Sequence, residues 1–171
     1  MDIIVVGGGI SGLSTALKLS RAGHRITVLE RDDTPMPESA DAAFEWDRRG
    51  APQVRHSHAF LARLVSLLKA NEPDVLDKLF EAGATEIKFG EDLPATMEGF
   101  VSEPEDAELN MLTCRRTTFE WVLRRVVLDD GQVSFKTGVG VNGLVHETDA
   151  ASGLERITGV TTEDGSQLTA D

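Results

Sequence analysis

Gly7, Gly9 and Gly12 lie between four apolar residues and an amphipathic stretch, in "IIVVGGGISG" at residues 3–12. Glycines at the spacing G-x-G-x-x-G suit one kind of chemistry: they bring bare backbone amides up to a phosphate. The first permits a tight turn, the second leaves room for a pyrophosphate, and the third lets helix and strand pack closely. The amides of Ile10, Ser11 and Gly12, at the start of the following helix, would face the phosphate oxygens. Glu30 ends a second apolar run, Ile26 to Leu29, where its carboxylate can accept hydrogen bonds from ribose hydroxyls. Arg31 beside it offers a competing chemistry, since a basic group can meet a ribose 2′-phosphate. The Glu30 carboxylate opposes that reading by repelling the phosphate.

These residues need elements to hold them. Ile3–Val6 is short, β-branched and apolar, the pattern of a strand buried on both faces of a parallel sheet. Leu13, Ala16, Leu17 and, less well placed, Leu19 predict a helix, which Gly23 ends as the residue after its C-cap. Strand, glycine turn, helix and strand make a βαβ unit over residues 1–31. Its physical reading is an adenine dinucleotide site.

Beyond residue 31 the pattern changes. "DDTPMPESADAAFEWDRRGAPQ" reads as an extended loop. Phe60, Leu61, Leu64, Val65 and Leu68 mark one face of a helix, and "PDVLDKLFEAG" a second, opened by Pro73 and closed by Gly83. "GEDLPATMEGFVSEPEDAELN" is acidic and irregular. A further helix starts near Thr117, where Thr117 and Glu120 fit a capping box, and carries Phe119, Val122, Leu123, Val126 and Val127 on one face. "QVSFKTGVGVNGLVHE", "ERITGVTTED" and "QLTAD" read as strands, with Asp164-Gly165 a hairpin turn. The organisation expected is one domain over 1–171: the βαβ unit, an inserted loop and helical segment over 32–110, and a helix, strand and β-meander over 111–171.

Composition limits the partners. The net charge of −12 argues against a nucleic-acid face, which needs clustered Lys and Arg. Cys114 is the only cysteine, so no internal disulfide forms and a cytoplasmic setting is the default. No apolar run approaches the roughly 20 residues of a transmembrane helix, and the N-terminus lacks the basic start of a signal peptide. His56 and His58 form H-x-H, too thin a set for a metal site, and no metal is expected. His58 has two readings, a residue near the cofactor at the start of a helix and a plain surface histidine. Arg55 is a candidate for the pyrophosphate, because an Arg fork suits phosphate oxygens. Cys114 reads as a small buried residue and Arg124 and Arg125 as a solvated helix face.

"VVGGGISGLSTALKLSRAGHRITVLER" resembles the N-terminal FAD fingerprint of the large flavoprotein oxidoreductase class that includes the aromatic hydroxylases. "RRGAPQVRHSHAFLARL" and "CRRTTFEWVLRRVV" are similar to segments of bacterial FAD-dependent monooxygenases, among them polyketide epoxidases and hydroxylases. The resemblance implies an α/β fold, a Rossmann-like FAD-binding domain of the glutathione-reductase type with a helical insertion and a β-meander. It implies that Arg116, leading Phe119, Glu120 and Leu123 in an R-x-x-F-(D/E)-x-x-L stretch, contacts the FAD. It also implies that the backbone at Val141, in "TGVGVNGLV", flanks the adenine. Such proteins continue past the meander with an apolar strand and a later Gly-Asp motif. The 171 residues therefore look like the first third to half of a flavoenzyme, cut short, with unpaired sheet edges open to self-association.

A flavin supplies the redox chemistry, while the protein supplies position and exclusion of water. By resemblance the full enzyme would reduce FAD with NADPH or NADH and oxygenate an apolar organic small molecule, by hydroxylation or epoxidation. No catalytic residue is assigned. Two other readings stay open: an NAD(P)-binding dehydrogenase or sensor domain, and a non-catalytic truncated product.

Overall fold

In chain order the elements are β1 (Asp2–Val6), α1 (Ile10–Arg21), β2 (Arg25–Glu30), α2 (Ala40–Ala43), β3 (Ser57–Phe60), α3 (Ala62–Asn71), α4 (Pro73–Glu81), β4 (Thr85–Ile87), a 3-10 helix (Pro104–Glu108), β5 (Met111–Arg115), α5 (Arg116–Asp129), β6 (Val133–Thr137), β7 (Val141–Thr148), β8 (Glu155–Thr162) and β9 (Gln167–Thr169). This computed structural model describes residues 1–51, 53–54, 56–89, 99, 101 and 103–171. Of the acidic stretch over 90–110, residues 90–98, 100 and 102 lie outside the described residues. The chain divides into two units: Met1–Pro35, Asp47–Ala51 and Leu123–Asp171 in the first, Met36–Trp46 and Pro52–Val122 in the second. The boundary crosses α5 between Val122 and Leu123.

The first unit is built on a parallel sheet in the order β1-β2-β6. Ile26, Val28 and Leu29 of β2 are fully buried because β2 has a neighbour on each edge. β1 is expected to be covered on both faces, yet Ile3–Val5 are only half-buried and Val6 is 57% exposed. Among the described residues β1 pairs along one edge alone, with β2, which leaves it less covered. Helix α1 buries Leu13, Ala16 and Leu17, and covering a leucine contributes about 1.5–3 kcal/mol. It stops at Gly23 as predicted. The amides of Gly23 and His24 reach back to the carbonyls of Ser20 and Leu19, a Schellman closure with Gly23 at φ 87°.

The stretch read as one strand from Gln132 to Glu147 is two. Gly138, at φ 70°, lies between β6 of the parallel sheet and β7 of an antiparallel meander in the order β7-β8-β9. The Asp164-Gly165 turn joins β8 and β9 as predicted: Asp164 Oδ1 accepts from Thr162 Oγ1 and the Ser166 amide, and Gly165 takes φ 84°.

The second unit holds an antiparallel sheet in the order β3-β5-β4, whose three short strands the sequence did not announce. Phe60 ends β3 and stacks on Phe119 at 4.5 Å, and Leu61 is the exposed cap before α3. Neither lies on the helix face expected for it, because strand pairing with β5 claims the residues up to Phe60. Val65 and Leu68 are buried on α3. Helix α4 starts at Pro73 and ends in a second Schellman closure at Gly83, as predicted. The expected loop over 32–53 contains one helical turn, α2, whose first turn is capped by the Ser39 hydroxyl at 3.1 Å from the Ala42 amide.

Helix α5 follows β5 without a break, and this overturns the capping box. The helix begins at Arg116, one residue before Thr117. Thr117 Oγ1 is buried without a hydrogen-bond partner, and Glu120 is fully buried. The sulfur of Cys114 takes the Phe119 amide instead. The apolar face from Phe119 to Val127 is buried as predicted. Arg124, expected in solvent, is 4% exposed, its guanidinium 4.1 Å over the ring of Phe135. That ring gives the cation a buried seat, which a solvated-face reading of the helix overlooked.

Candidate cofactor site

Each glycine of the turn has a distinct physical reason. Gly7 sits at φ 101°, a region open to glycine, and its amide closes the turn on the Leu29 carbonyl at 2.8 Å. A Cβ on Gly12 would lie 1.9 Å from the Gly7 carbonyl oxygen, so nothing larger fits where α1 meets the turn. Gly9 is the N-cap of α1, with no side-chain cap, no acidic residue in the first turn and no atom within 4 Å of a Cβ built on it. The first amides of the helix, those of Ile10, Ser11 and Gly12 among them, have no partner within the helix. Open space, unspent amides and the positive end of the helix dipole meet at one point, the requirement for a phosphate.

Glu30 stands at the tip of β2 as predicted, and its surroundings are richer than the sequence indicated. Its Oε2 accepts the Gly8 amide at 2.7 Å and Arg48 Nη2 at 3.2 Å, and its Oε1 accepts the Asp32 amide at 2.8 Å. Arg48 Nη1 lies 2.6 Å from Asp32 Oδ2, and Asp32 also takes the amides of Thr34 and Arg49. The side chain of Arg48 is 3% exposed. Burial pushes the Glu30 carboxyl toward its neutral form, but the two amides and Arg48 outweigh it and hold the pKa below the ordinary value. Asp32 is held low in the same way, against burial, by Thr34, Arg48 and the Arg49 amide.

The sequence reading missed Gly8, Asp32 and Arg48. A Cβ on Gly8 would come within 2.5 Å of the Phe135 ring and 3.0 Å of Glu30, so the middle glycine of the triplet is as constrained as Gly12. The three adjacent glycines were themselves a signal for it. Arg48 carried no signal, since its partners are 16 and 18 residues away.

A cavity of about 260 Å³ opens beside this corner, lined by Glu30, Arg31, Asp32, Asp33, Arg49 and Gly50. Arg31 is exposed at its wall. Val141 opens β7 in the same unit, half-buried and paired with Thr162. Gly7, Gly9, Ile10, Ser11, Gly12, Glu30, Arg31 and Val141 thus all belong to the first unit. His58 and Arg116 belong to the second, and Arg55 lies outside the described residues. His58 lies on β3, not at a helix start, with Nδ1 2.7 Å from the His56 carbonyl oxygen. Arg116 heads α5, 3.9 Å from Glu120.

In the second unit a cavity of about 320 Å³ includes Phe44, Cys114, Arg115 and Thr118 in its lining, and the Arg115 guanidinium lies 3.4 Å over the Phe44 ring. Burial pushes the Cys114 thiol up to about 11 despite the Phe119 amide, consistent with a structural cysteine.

Residues 2–65 match the sequence pattern of the FAD dependent oxidoreductase family (DAO). A D-amino acid dehydrogenase of Sinorhizobium medicae is 48% identical over 42 residues, which are 25% of this chain and 10% of that protein. Protein Rv3254 of Mycobacterium tuberculosis is 29% identical over 161 residues, 92% of this chain and 31% of its own length. Among solved structures, the chain superposes on the Diels-Alderase PyrE3 with a TM-score of 0.62 at 21% identity, covering 98% of this chain and 30% of that one. PqsL of Pseudomonas aeruginosa, described as a probable FAD-dependent monooxygenase, gives 0.64 at 16% identity, with 99% and 40% covered. The tetrameric form of 2-methyl-3-hydroxypyridine-5-carboxylic acid oxygenase gives 0.60 at 15%, with 99% and 37% covered. At these identities the likeness establishes the fold, an α/β Rossmann-like FAD domain. The chain spans a third or less of the curated relatives it matches here.

The cofactor that goes with the family pattern matched by residues 2–65 is FAD. The residues present fit its adenosine diphosphate end: a steric vacancy at Gly9, uncapped helix amides, and an ionised carboxylate one strand away. Among the described residues no helix is long and apolar enough to cross a membrane, and no cluster of three His, Cys, Asp or Glu could hold a metal.

Proposed function

We propose that this chain is the FAD-binding portion of a flavin-dependent monooxygenase that hydroxylates or epoxidises an apolar organic small molecule, with NADPH or NADH as reductant. One observation carries the reading. The glycine turn, the uncapped start of α1 and Glu30 form a single dinucleotide seat in a segment of FAD dependent oxidoreductase pattern. Gly7, Gly9 and Gly12 make the space, the amides of Ile10 and Ser11 meet the pyrophosphate, and Glu30 takes a ribose hydroxyl. Arg31 and the backbone at Val141 border the adenosine. Arg116, His58 and Arg55 are further candidates for cofactor binding that we carry from the sequence. The bound flavin supplies the electron transfer and the oxygen chemistry, and the residues of this chain hold its adenosine diphosphate in place.

The monooxygenase class is supported by the fold of PqsL and of the pyridine carboxylic acid oxygenase, both named for oxygenation. The lone cysteine favours a cytoplasmic setting. Strands with one free edge, β1 among them, favour self-association. The experiment is reconstitution of the full-length protein with FAD, followed by NADPH and NADH oxidation assays across a panel of apolar aromatic and polyketide-like compounds. Substrate-dependent NAD(P)H consumption with oxygen incorporated into product supports the proposal. FAD reduction by an amine or amino acid donor, with no oxygen incorporation, replaces it with a dehydrogenase.

A further inference from the structure

The ion pairs of Arg48 belong to no part of the glycine motif, yet they end at its ribose corner. Arg48 is set in Asp47–Ala51, the short stretch that returns to the first unit between two stretches of the second. Its guanidinium spans two carboxylates, 2.6 Å from Asp32 Oδ2 and 3.2 Å from Glu30 Oε2, with 3% of its side chain exposed. The donors on Glu30 determine what its carboxylate can still do. A carboxylate oxygen accepts about two hydrogen bonds. Among the described residues Oε2 has both, from Gly8 and Arg48, while Oε1 has one, from Asp32. One acceptor position on Oε1 therefore remains, on a residue that lines the 260 Å³ cavity.

We infer that Arg48 is the positioning residue that fixes Glu30 with a single open acceptor for an adenosine 2′-hydroxyl, and so sets the preference for a ribose over a 2′-deoxyribose. The inference rests on the dinucleotide reading above. Without Arg48, two buried carboxylates would face each other with no cation between them. Glu30 would turn away or take up a proton, and its open acceptor would no longer be held at the cavity. Arg48 itself touches no ligand: it acts through Glu30.

The test uses ADP and 2′-deoxy-ADP as competitors of FAD fluorescence, on the full chain and on Arg48→Met, Arg48→Lys and Glu30→Gln variants. The parent chain should prefer ADP about tenfold, the scale of one hydroxyl donated to a charged acceptor. Arg48→Met should bring the ratio to about one, by weakening ADP and leaving 2′-deoxy-ADP unchanged. Arg48→Lys should recover part of the preference. Arg48→Met in a Glu30→Gln background should change the ratio no further. If Arg48→Met fails to fold, Arg48→Met with Asp32→Asn removes one of the uncompensated carboxylates and carries the same readout. A preference that survives in the folded Arg48→Met variant overturns the inference while the dinucleotide reading stands. If the parent chain binds neither ADP nor FAD, the dinucleotide reading falls, and the inference falls with it.

Discussion

The amide of Gly8 donates to Oε2 of Glu30 across 2.7 Å, joining the turn after β1 to the tip of β2. The glycine turn and the tip of β2 are thus one hydrogen-bonded body, and a change in the turn is felt by the carboxylate.

Gly8→Ala separates packing from ligand contact. Its Cβ would press on the Phe135 ring at 2.5 Å and on Glu30 at 3.0 Å. Overpacking of this kind costs about 1–3 kcal/mol. Urea unfolding should show that loss, with FAD affinity falling because Glu30 is displaced. A variant with an unchanged midpoint and unchanged affinity would mean that the contact is not as drawn.

Acid should unfold the first unit through Glu30 and Asp32. Both pKa values are held below the ordinary ones, so the stabilisation is complete above about pH 5 and is lost as the pH falls through the folded-state values. Removing Arg48 takes away one of the groups that hold them low, while the amides of Gly8 and Asp32 on Glu30 and of Thr34 and Arg49 on Asp32 stay, so Arg48→Met should lose less stability than the parent as the pH falls from 7 toward 4. Removing one partner of a buried pair costs about 3–5 kcal/mol at neutral pH. Urea midpoints measured from pH 4 to 8 decide it: parallel curves for parent and variant would rule the network out.

Cys114 should be slow to modify. With its thiol near 11 and not 9.0, the thiolate fraction at pH 8 falls about 100-fold. Reaction with a disulfide reagent should lag that of the urea-unfolded chain by at least that factor. Equal rates would contradict the half-buried setting of the thiol.

The cavity beside Glu30 should reject a 2′-phosphate. Glu30 and Asp32 are ionised there and Asp33 adds a third carboxylate to the lining, which outweighs the exposed Arg31. ADP should bind at least about tenfold more tightly than its 2′-phosphorylated counterpart. The reverse order would support an NADP-type site.

The parts of this fold legible in sequence are those fixed by local chemistry. Gly7, Gly9 and Gly12 announced the turn, Gly23 and Gly83 the helix ends, and Asp164-Gly165 the hairpin, because each answers to its own backbone geometry. Strands β3, β4 and β5 were not legible: "SHAF", "TEI" and "MLTCR" are short, mix polar with apolar residues, and become strands only by pairing with one another. Thr117 and Glu120 fitted a capping box by spacing, but β5 runs directly into α5, the helix begins at Arg116, and the sulfur of Cys114 takes the Phe119 amide. At the site, Glu30 was legible as the end of an apolar run. Arg48 was not, since a buried ion pair depends on which distant carboxylates the fold brings together. His58 lies on β3 and not at a helix start because Phe60 ends a strand and the helix begins only at Ala62.

Titration of FAD into the parent chain and into Gly9→Val is the most direct measurement of the central claim. Gly9 has φ −80° and ψ −177°, an ordinary extended backbone, and nothing lies within 4 Å of a Cβ built there. The fold therefore has room for a Cβ there, and a phosphate against the helix amides would not leave it. The parent should bind FAD at one saturable site, and the folded Gly9→Val variant, with an unchanged unfolding midpoint, should lose that binding. Equal FAD affinity in the two proteins would contradict the account.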